Sequence, residues 1–133
     1  MPGPLTWLAV AAGGALGSMA RFWMTGAVAA VAGSRFPHGT LLINVLGSFV
    51  IGVVASFSLT PGHTETGRVA MHPDLRVFLM VGICGGFTTF SSFSLQTLEL
   101  IQTGDMERAL LYVAGSVLAC LLFVWLGWYL GRM

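Results

Sequence analysis

Residues Val81–Thr97 read VGICGGFTTFSSFSLQT and lie within an apolar segment long enough to enter a lipid bilayer. Glycines and hydroxyl residues replace the Leu, Ile and Val that a membrane-spanning helix normally carries at this depth. We therefore expect the helix to be broken between Gly85 and Thr88. A break frees backbone groups that need cover from protein or a hydrated cavity, and interrupted helices commonly bind ions. The stretch predicts an ion site in the middle of a membrane.

The composition is that of a membrane protein. Of the 133 residues, 56% are hydrophobic and 8% are charged, which is unusual for a soluble domain. The net charge is +1 and the arginines form no basic stripe, so nucleic acid is not an expected partner. Cys84 and Cys120 stand in apolar runs without a C-x-x-C spacing, and we interpret them as inert thiols.

Four apolar segments predict four transmembrane helices in one all-α domain covering residues 1–133. A span needs about 20 apolar residues, and the segments cover about residues 5–31, 40–59, 74–102 and 107–130. Short loops rich in glycine and proline predict antiparallel neighbours. We interpret the first segment as a retained helix and not a signal peptide, because no basic region precedes it and three more spans follow.

Polar residues recur at helical spacing on two of these segments. Thr40, Asn44 and Ser48 are four residues apart on the second segment, and Tyr112 and Ser116 share a face of the fourth. A buried asparagine either holds two helices together or donates its amide N–H to an anion, and the sequence leaves both readings open. The polar stripe on the fourth segment has two similar interpretations: its residues either hold helices together or line a hydrated path.

No Asp, Glu or Lys lies in the middle of any predicted span. Arg21 is the one charge in the first segment, where it either snorkels to the interface or faces a pore vestibule. A proton-coupled exporter needs a carboxylate within the membrane, and none is present. Sequence motifs of soluble enzymes, such as G-x-S-x-G, the P-loop and H-E-x-x-H, are also missing, so we do not expect an enzyme.

The arginines give almost no preference for one membrane orientation. One face carries Arg68, Arg76 and Arg132, while the other carries Arg35 and Arg108, with Arg21 in addition if it lies near that interface. Under the positive-inside rule, such a balance orients the chain weakly. The chain is therefore expected to insert both ways, and an antiparallel homodimer follows as a hypothesis. Two broken third helices would then bring carbonyl groups near Gly85 and Thr88 together around one cation.

An anion that crosses hydrocarbon needs neutral donors in place of its lost water, because a fixed cation at close range would trap it. Amide and hydroxyl groups meet this requirement, as do the electropositive edges of Phe90 and Phe93. The candidate donors are Thr40, Asn44, Thr89, Ser91, Tyr112 and Ser116.

These residues resemble the Fluc/CrcB family of fluoride channels. The resemblance covers nearly the whole chain, and three motifs carry it: Gly13-Gly14-x-x-Gly17 with Arg21, Gly39-Thr40-Leu41 with Asn44 and Gly47-Ser48-Phe49, and Gly85-Gly86-Phe87-Thr88-Thr89-Phe90-Ser91-Ser92-Phe93-Ser94. The last run is the most specific of the three.

The resemblance implies a dual-topology homodimer in the bacterial inner membrane, with two fluoride pores and one structural Na⁺ on the two-fold axis. It assigns the backbone carbonyls of Gly85 and Thr88 to Na⁺, and Arg21 to the aqueous vestibule. It places along the fluoride path the side chains of Asn44, Phe90, Phe93, Tyr112 and Ser116. Two positions depart from the family pattern, since Gln96 replaces a common glutamate and Cys120 replaces a common hydroxyl residue.

The implied activity is passive export of fluoride, which relieves fluoride toxicity. Two other classes compete with it. A small multidrug exporter is also built from four spans but needs a carboxylate in its first helix. A membrane scaffold would use every polar stripe as a helix contact and would transport nothing.

Overall fold

The computed structural model describes residues 2–33, 35–58 and 71–133, and within these residues the fold is all helix. The helices in chain order are α1 (Pro4–Ala32), α2 (His38–Ser58), α3 (Pro73–Val77), a π-helix (Phe78–Cys84), α4 (Gly85–Phe87), α5 (Phe90–Gln102) and α6 (Met106–Gly131). Residues 59–70 of the second loop, which include Arg68, lie outside the described residues.

Four helical segments are long and apolar enough to cross a membrane: Pro4–Ala32, His38–Phe57, Pro73–Gln102 and Met106–Gly131. The prediction of an all-α protein with four apolar helices is confirmed, and this architecture is that of a multi-pass membrane protein. Local chemistry sets the ends of α1. Pro4 occupies its first turn, and Gly33 ends it with a φ of 76° and an N–H that donates to the Ala29 carbonyl.

The third span, Pro73–Gln102, is irregular. Its π-helix is followed by the single α-helical turn α4. Thr88 and Thr89 then have extended backbones, with φ/ψ angles of −78°/156° and −151°/110°. Helix α5 begins after them, because the Thr89 side chain accepts a hydrogen bond from the Ser92 N–H at 3.2 Å and caps the new helix.

Helix α1 runs parallel to the first half of the third span, and glycines set the distance between them. The Thr6 hydroxyl donates to Asp74 Oδ1 at 2.8 Å near the start of both helices. Farther along, a Cβ atom added to Gly13 would lie 2.9 Å from the Cα atom of Gly82. Contact of this kind brings the two backbones together, as small residues do in membrane helix pairs.

Helix α2 runs parallel to α6 in the same manner. A Cβ atom added to Gly52 would lie 3.0 Å from the backbone nitrogen of Trp128, and one added to Gly127 would lie 3.1 Å from that of Val53. The molecule therefore contains two parallel pairs of spans. The first span (α1) pairs with the third, and the second span (α2) pairs with the fourth (α6). Helix α5 packs against α6. The non-helical residue Thr89, which follows Thr88, is bonded to Asn44 of α2.

Candidate functional site

Asn44 of α2 is bonded to the non-helical part of the third span. The Thr89 N–H donates to Asn44 Oδ1 at 2.8 Å, and Asn44 Nδ2 donates to the Thr89 carbonyl at 3.2 Å. Of the two readings of Asn44, helix contact is present in this geometry. A second N–H on the same amide has no partner among the described residues, and it stays available to a ligand.

Hydroxyl groups surround Thr89. Its Oγ1 atom donates to Ser92 Oγ at 3.1 Å and lies 3.3 Å from Ser91 Oγ. Thr89 is buried and Ser91 is exposed. Together with the Asn44 amide, these bonds satisfy the backbone and side chain of Thr89, which allows an extended residue to exist between two helices.

Three aromatic rings form a continuous row beside this position. The Phe90 and Phe93 ring centroids are 5.4 Å apart, and those of Phe93 and Tyr112 are 5.1 Å apart. Phe93 is 9% exposed and Phe90 is 78% exposed, so the row leads from the interior to the surface. Phe36, which is not among the candidate residues, adds an edge-on contact to Tyr112 at 5.5 Å. No pattern marked Phe36, because it lies in a loop.

Tyr112 is fully buried, and its hydroxyl donates to Gln96 Oε1 at 3.0 Å. The Thr40 side chain lies within hydrogen-bonding reach of the same hydroxyl. The sequence marks Gln96 only as a departure from the family pattern and not as a candidate site residue, although its place three residues after Phe93 puts both on one face of α5. Tyr112 thus joins α2, α5 and α6.

A cavity of about 460 Å³ lies where α2, the third span and α6 meet. Its lining includes seven of the predicted site residues: Asn44, Gly85, Thr88, Thr89, Phe90, Phe93 and Ser116. Ser116 is 5% exposed, and its hydroxyl oxygen is buried without a hydrogen-bond partner among the described residues. Buried polar groups are normally paired, so this hydroxyl is a neutral donor that a ligand or water molecule in the cavity can use.

The remaining candidates lie elsewhere. Thr40 lines a second cavity of about 330 Å³ by the first loop, together with Gln96 and the charged residues Arg35 and Glu99. Tyr112 lies next to the lining of both cavities, against Phe93 on one side and Gln96 on the other. Arg21 lines neither cavity and borders a separate open groove that also contains Ser92.

The two residues assigned to a cation offer backbone oxygens. The Thr88 N–H and hydroxyl both donate to the Cys84 carbonyl, at 2.9 and 2.8 Å. Among the hydrogen bonds of the described residues, none ends on the carbonyl oxygen of Gly85 or Thr88. The described part of the chain also holds no cluster of three or more His, Cys, Asp or Glu side chains that could bind a metal.

These features define a small multi-pass membrane protein with a cavity of neutral polar groups and aromatic rings at a non-helical point of its third span. The chain matches the family model described as CrcB-like protein, Camphor Resistance (CrcB), over residues 8–128. It therefore belongs to the CrcB family, and the resemblance inferred from the sequence is confirmed.

Several relatives are similar over almost their whole length. A protein of Rhodospirillum rubrum named fluoride-specific ion channel FluC is 53% identical over 123 residues, which cover 92% of each chain. A protein of the same name from Opitutus terrae is 50% identical over 91% of this chain and 88% of its own. One from Thermus thermophilus is 46% identical over 94% of this chain and 92% of its own.

Proposed function

We propose that this chain is a passive fluoride channel, and not an enzyme, that exports fluoride from the cytoplasm. The observation that carries the proposal is the 460 Å³ cavity, which joins the Asn44 amide, the Phe90–Phe93 pair and the unpartnered Ser116 hydroxyl. Relatives that are 42–53% identical bear the name of fluoride-specific ion channels, which supports the same function here.

The chemistry of the cavity suits an anion that has lost its water. The free N–H of Asn44 and the hydroxyl of Ser116 are neutral donors, and a phenylalanine edge adds a weak positive field. Among the residues that the structure describes, no Asp, Glu, Lys or Arg lines this cavity. An anion is therefore stabilised without being trapped, which conduction requires.

The path that we propose continues from this cavity through Tyr112 to the cavity by the first loop. Tyr112 and Thr40 lie between the two spaces, and Ser91 and Thr89 border the path on the side of the third span. A passing anion would accept the hydroxyl hydrogens that Tyr112 and Thr89 otherwise donate to Gln96 and Ser92. We assign Arg21, which borders the separate groove, to the aqueous vestibule. A membrane potential that is negative inside drives an anion outward with about 2.3 kcal/mol per charge per 100 mV, so no ATP site is needed.

We infer that the working unit is an antiparallel homodimer of dual topology with two pores, located in the bacterial inner membrane. Gly85 and Phe90 border the 460 Å³ cavity, which we call the central cavity, yet both are exposed in the single chain. A second copy packed on this face would complete the wall of the cavity. The near balance of arginines between the two faces favours both orientations of insertion.

The residues present fit a structural Na⁺ at the centre of this dimer. The unpaired carbonyls of Gly85 and Thr88 are hard oxygen ligands of the kind that interrupted membrane helices offer to Na⁺. Among the described residues, a Cβ atom added to Gly85 would meet only the Met80 carbonyl oxygen, at 3.8 Å. The space next to the Gly85 Cα atom is therefore not filled by neighbouring atoms of this chain. When bound, the ion would supply a fixed positive charge that holds the two third spans together.

Fluoride release from proteoliposomes tests the function. Vesicles with the purified protein, loaded with fluoride and given a potassium diffusion potential, should release fluoride far faster than empty vesicles, as measured with a fluoride electrode. Release no faster than that of empty vesicles would identify a scaffold. Transport of a lipophilic cation against a proton gradient would identify a multidrug exporter instead.

A further inference from the structure

Cys120 lies on the wall of the central cavity, one helical turn after Ser116 on α6. It is half-buried and carries a free thiol. The other free thiol, Cys84, lines the same cavity from the third span but is only 3% exposed. The two cysteines that the sequence presented as equivalent inert thiols therefore differ in access.

The surroundings of Cys120 are polar for a position at this depth. The Ser116 hydroxyl is buried without a partner, and the Asn44 amide keeps one free N–H on the facing helix. Polar groups of this kind need water or a ligand when nothing in the protein satisfies them. A hydrated cavity follows, and water is what a thiol needs in order to ionise and react.

We propose that Cys120 is a modification site for small sulfur electrophiles that enter the cavity from water, and that its modification closes the fluoride path. The inference deepens the proposed function, on which it rests, because it places the thiol beside the conducted ion. The half-buried Cys120 reacts, while the buried Cys84 does not.

The reaction with a thiosulfonate is balanced. The Cys120 thiol gives its proton to water, and the thiolate attacks the sulfur that carries the reagent's side chain. A disulfide bond forms, the bond between that sulfur and the sulfonyl group breaks, and methanesulfinate leaves with the electron pair. The thiol is oxidised and the thiosulfonate is reduced, so no further oxidant is needed.

The probe of choice is 2-sulfonatoethyl methanethiosulfonate, an anion that stays out of lipid. Attached to Cys120, its sulfonate places a fixed negative charge and added bulk in the cavity, and both oppose the entry of a second anion at short range. Treatment of the reconstituted protein should reduce fluoride efflux to the level of empty vesicles. The intact mass should rise by one adduct per chain, and dithiothreitol should reverse both changes.

Two variants locate the reaction, and each is compared with its own untreated sample. Cys84→Ser should be blocked and labelled like the unmodified protein, whereas Cys120→Ser should show neither block nor adduct. Adduct on Cys84, no adduct at all, or adduct on Cys120 with undiminished efflux would each overturn the inference. An untreated protein that releases no fluoride would instead contradict the proposed function, while its mass would still report whether water reaches Cys120.

Discussion

The Asn44 side chain pairs with both backbone groups of Thr89, at 2.8 Å to its N–H and at 3.2 Å to its carbonyl. Thr89 has an extended backbone within a membrane span, where a lost helical hydrogen bond has no water to replace it. The amide of a neighbouring helix takes the place of that water. One side chain thus stabilises the irregular backbone and, through its remaining N–H, contributes a donor to the cavity.

Replacement of Asn44 with leucine should therefore affect stability and transport together. Asn44→Leu leaves two buried backbone groups of Thr89 unpaired, at a cost of about 1–3 kcal/mol for each. We expect a lower unfolding temperature in detergent and no fluoride efflux. Ser48→Ala, one turn farther along α2, is the control for stability and should unfold like the unmodified protein. An unchanged unfolding temperature of Asn44→Leu would show that the hydrogen bonds to Thr89 do not stabilise the protein.

The paired rings of α5 make a separate prediction about transport. Phe90→Ile and Phe93→Ile remove the aromatic edges but keep apolar side chains, so each should abolish fluoride efflux while the dimer stays intact. The two should differ in stability, because Phe93 packs on Tyr112 and Phe90 is largely exposed. Efflux with a fluoride electrode and dimer size by gel filtration are the measurements.

Trp7→Ile is the control for the exposed ring. Trp7 is 64% exposed on α1 and makes no ring contact among the described residues. Its replacement should leave efflux unchanged. If Phe90→Ile and Phe93→Ile both conduct at the rate of the unmodified protein, the rings have no part in the path.

The helical architecture was accessible from the sequence because hydropathy and length are local properties. Segments of 20 or more apolar residues have few alternatives in a membrane, and the predicted limits of the four spans lie within a few residues of the observed helices. The extended residues Thr88 and Thr89 lie within the run of glycine and hydroxyl residues at 82–94. What it did not reveal is the π-helix before them, in which the Gly85 N–H reaches the Met80 carbonyl.

The contacts within the site were less accessible, since they join residues far apart in the chain. The bond between Asn44 and Thr89 spans 45 residues and depends on how α2 docks against the third span. Helical periodicity places Asn44 on a face but does not choose its partner. The contacts of Gln96 and Phe36 with Tyr112 cannot be predicted from the sequence for the same reason, because only the packing of the helices brings these residues together.

Two adjacent glycines of α1 allow a sharp test of helix packing. A Cβ atom added to Gly13 would lie 2.9 Å from the Gly82 Cα atom, while one added to Gly14 would meet nothing within 4 Å. Gly13→Ala should destabilise the protein by about 1–3 kcal/mol through overpacking, and Gly14→Ala should be neutral or slightly stabilising. Thermal unfolding in detergent, followed by tryptophan fluorescence, measures both. Equal effects of the two substitutions would contradict the observed pairing of α1 with the third span.

The balance of arginines makes the last prediction, which concerns orientation. Arg35 and Arg108 flank the loops at one end of the spans, and Arg76 and Arg132 lie at the other end, so neither end is favoured. A tag after Met133 should therefore be found on both faces of the membrane, by accessibility to an impermeant reagent.

Several lysines added after Met133 should shift the whole population to one orientation. Since an antiparallel dimer needs both orientations, that variant alone should lose fluoride efflux, and co-expression with a variant biased the opposite way should restore it. A tag confined to one face in the unmodified protein, or full efflux from the lysine variant alone, would rule out dual topology.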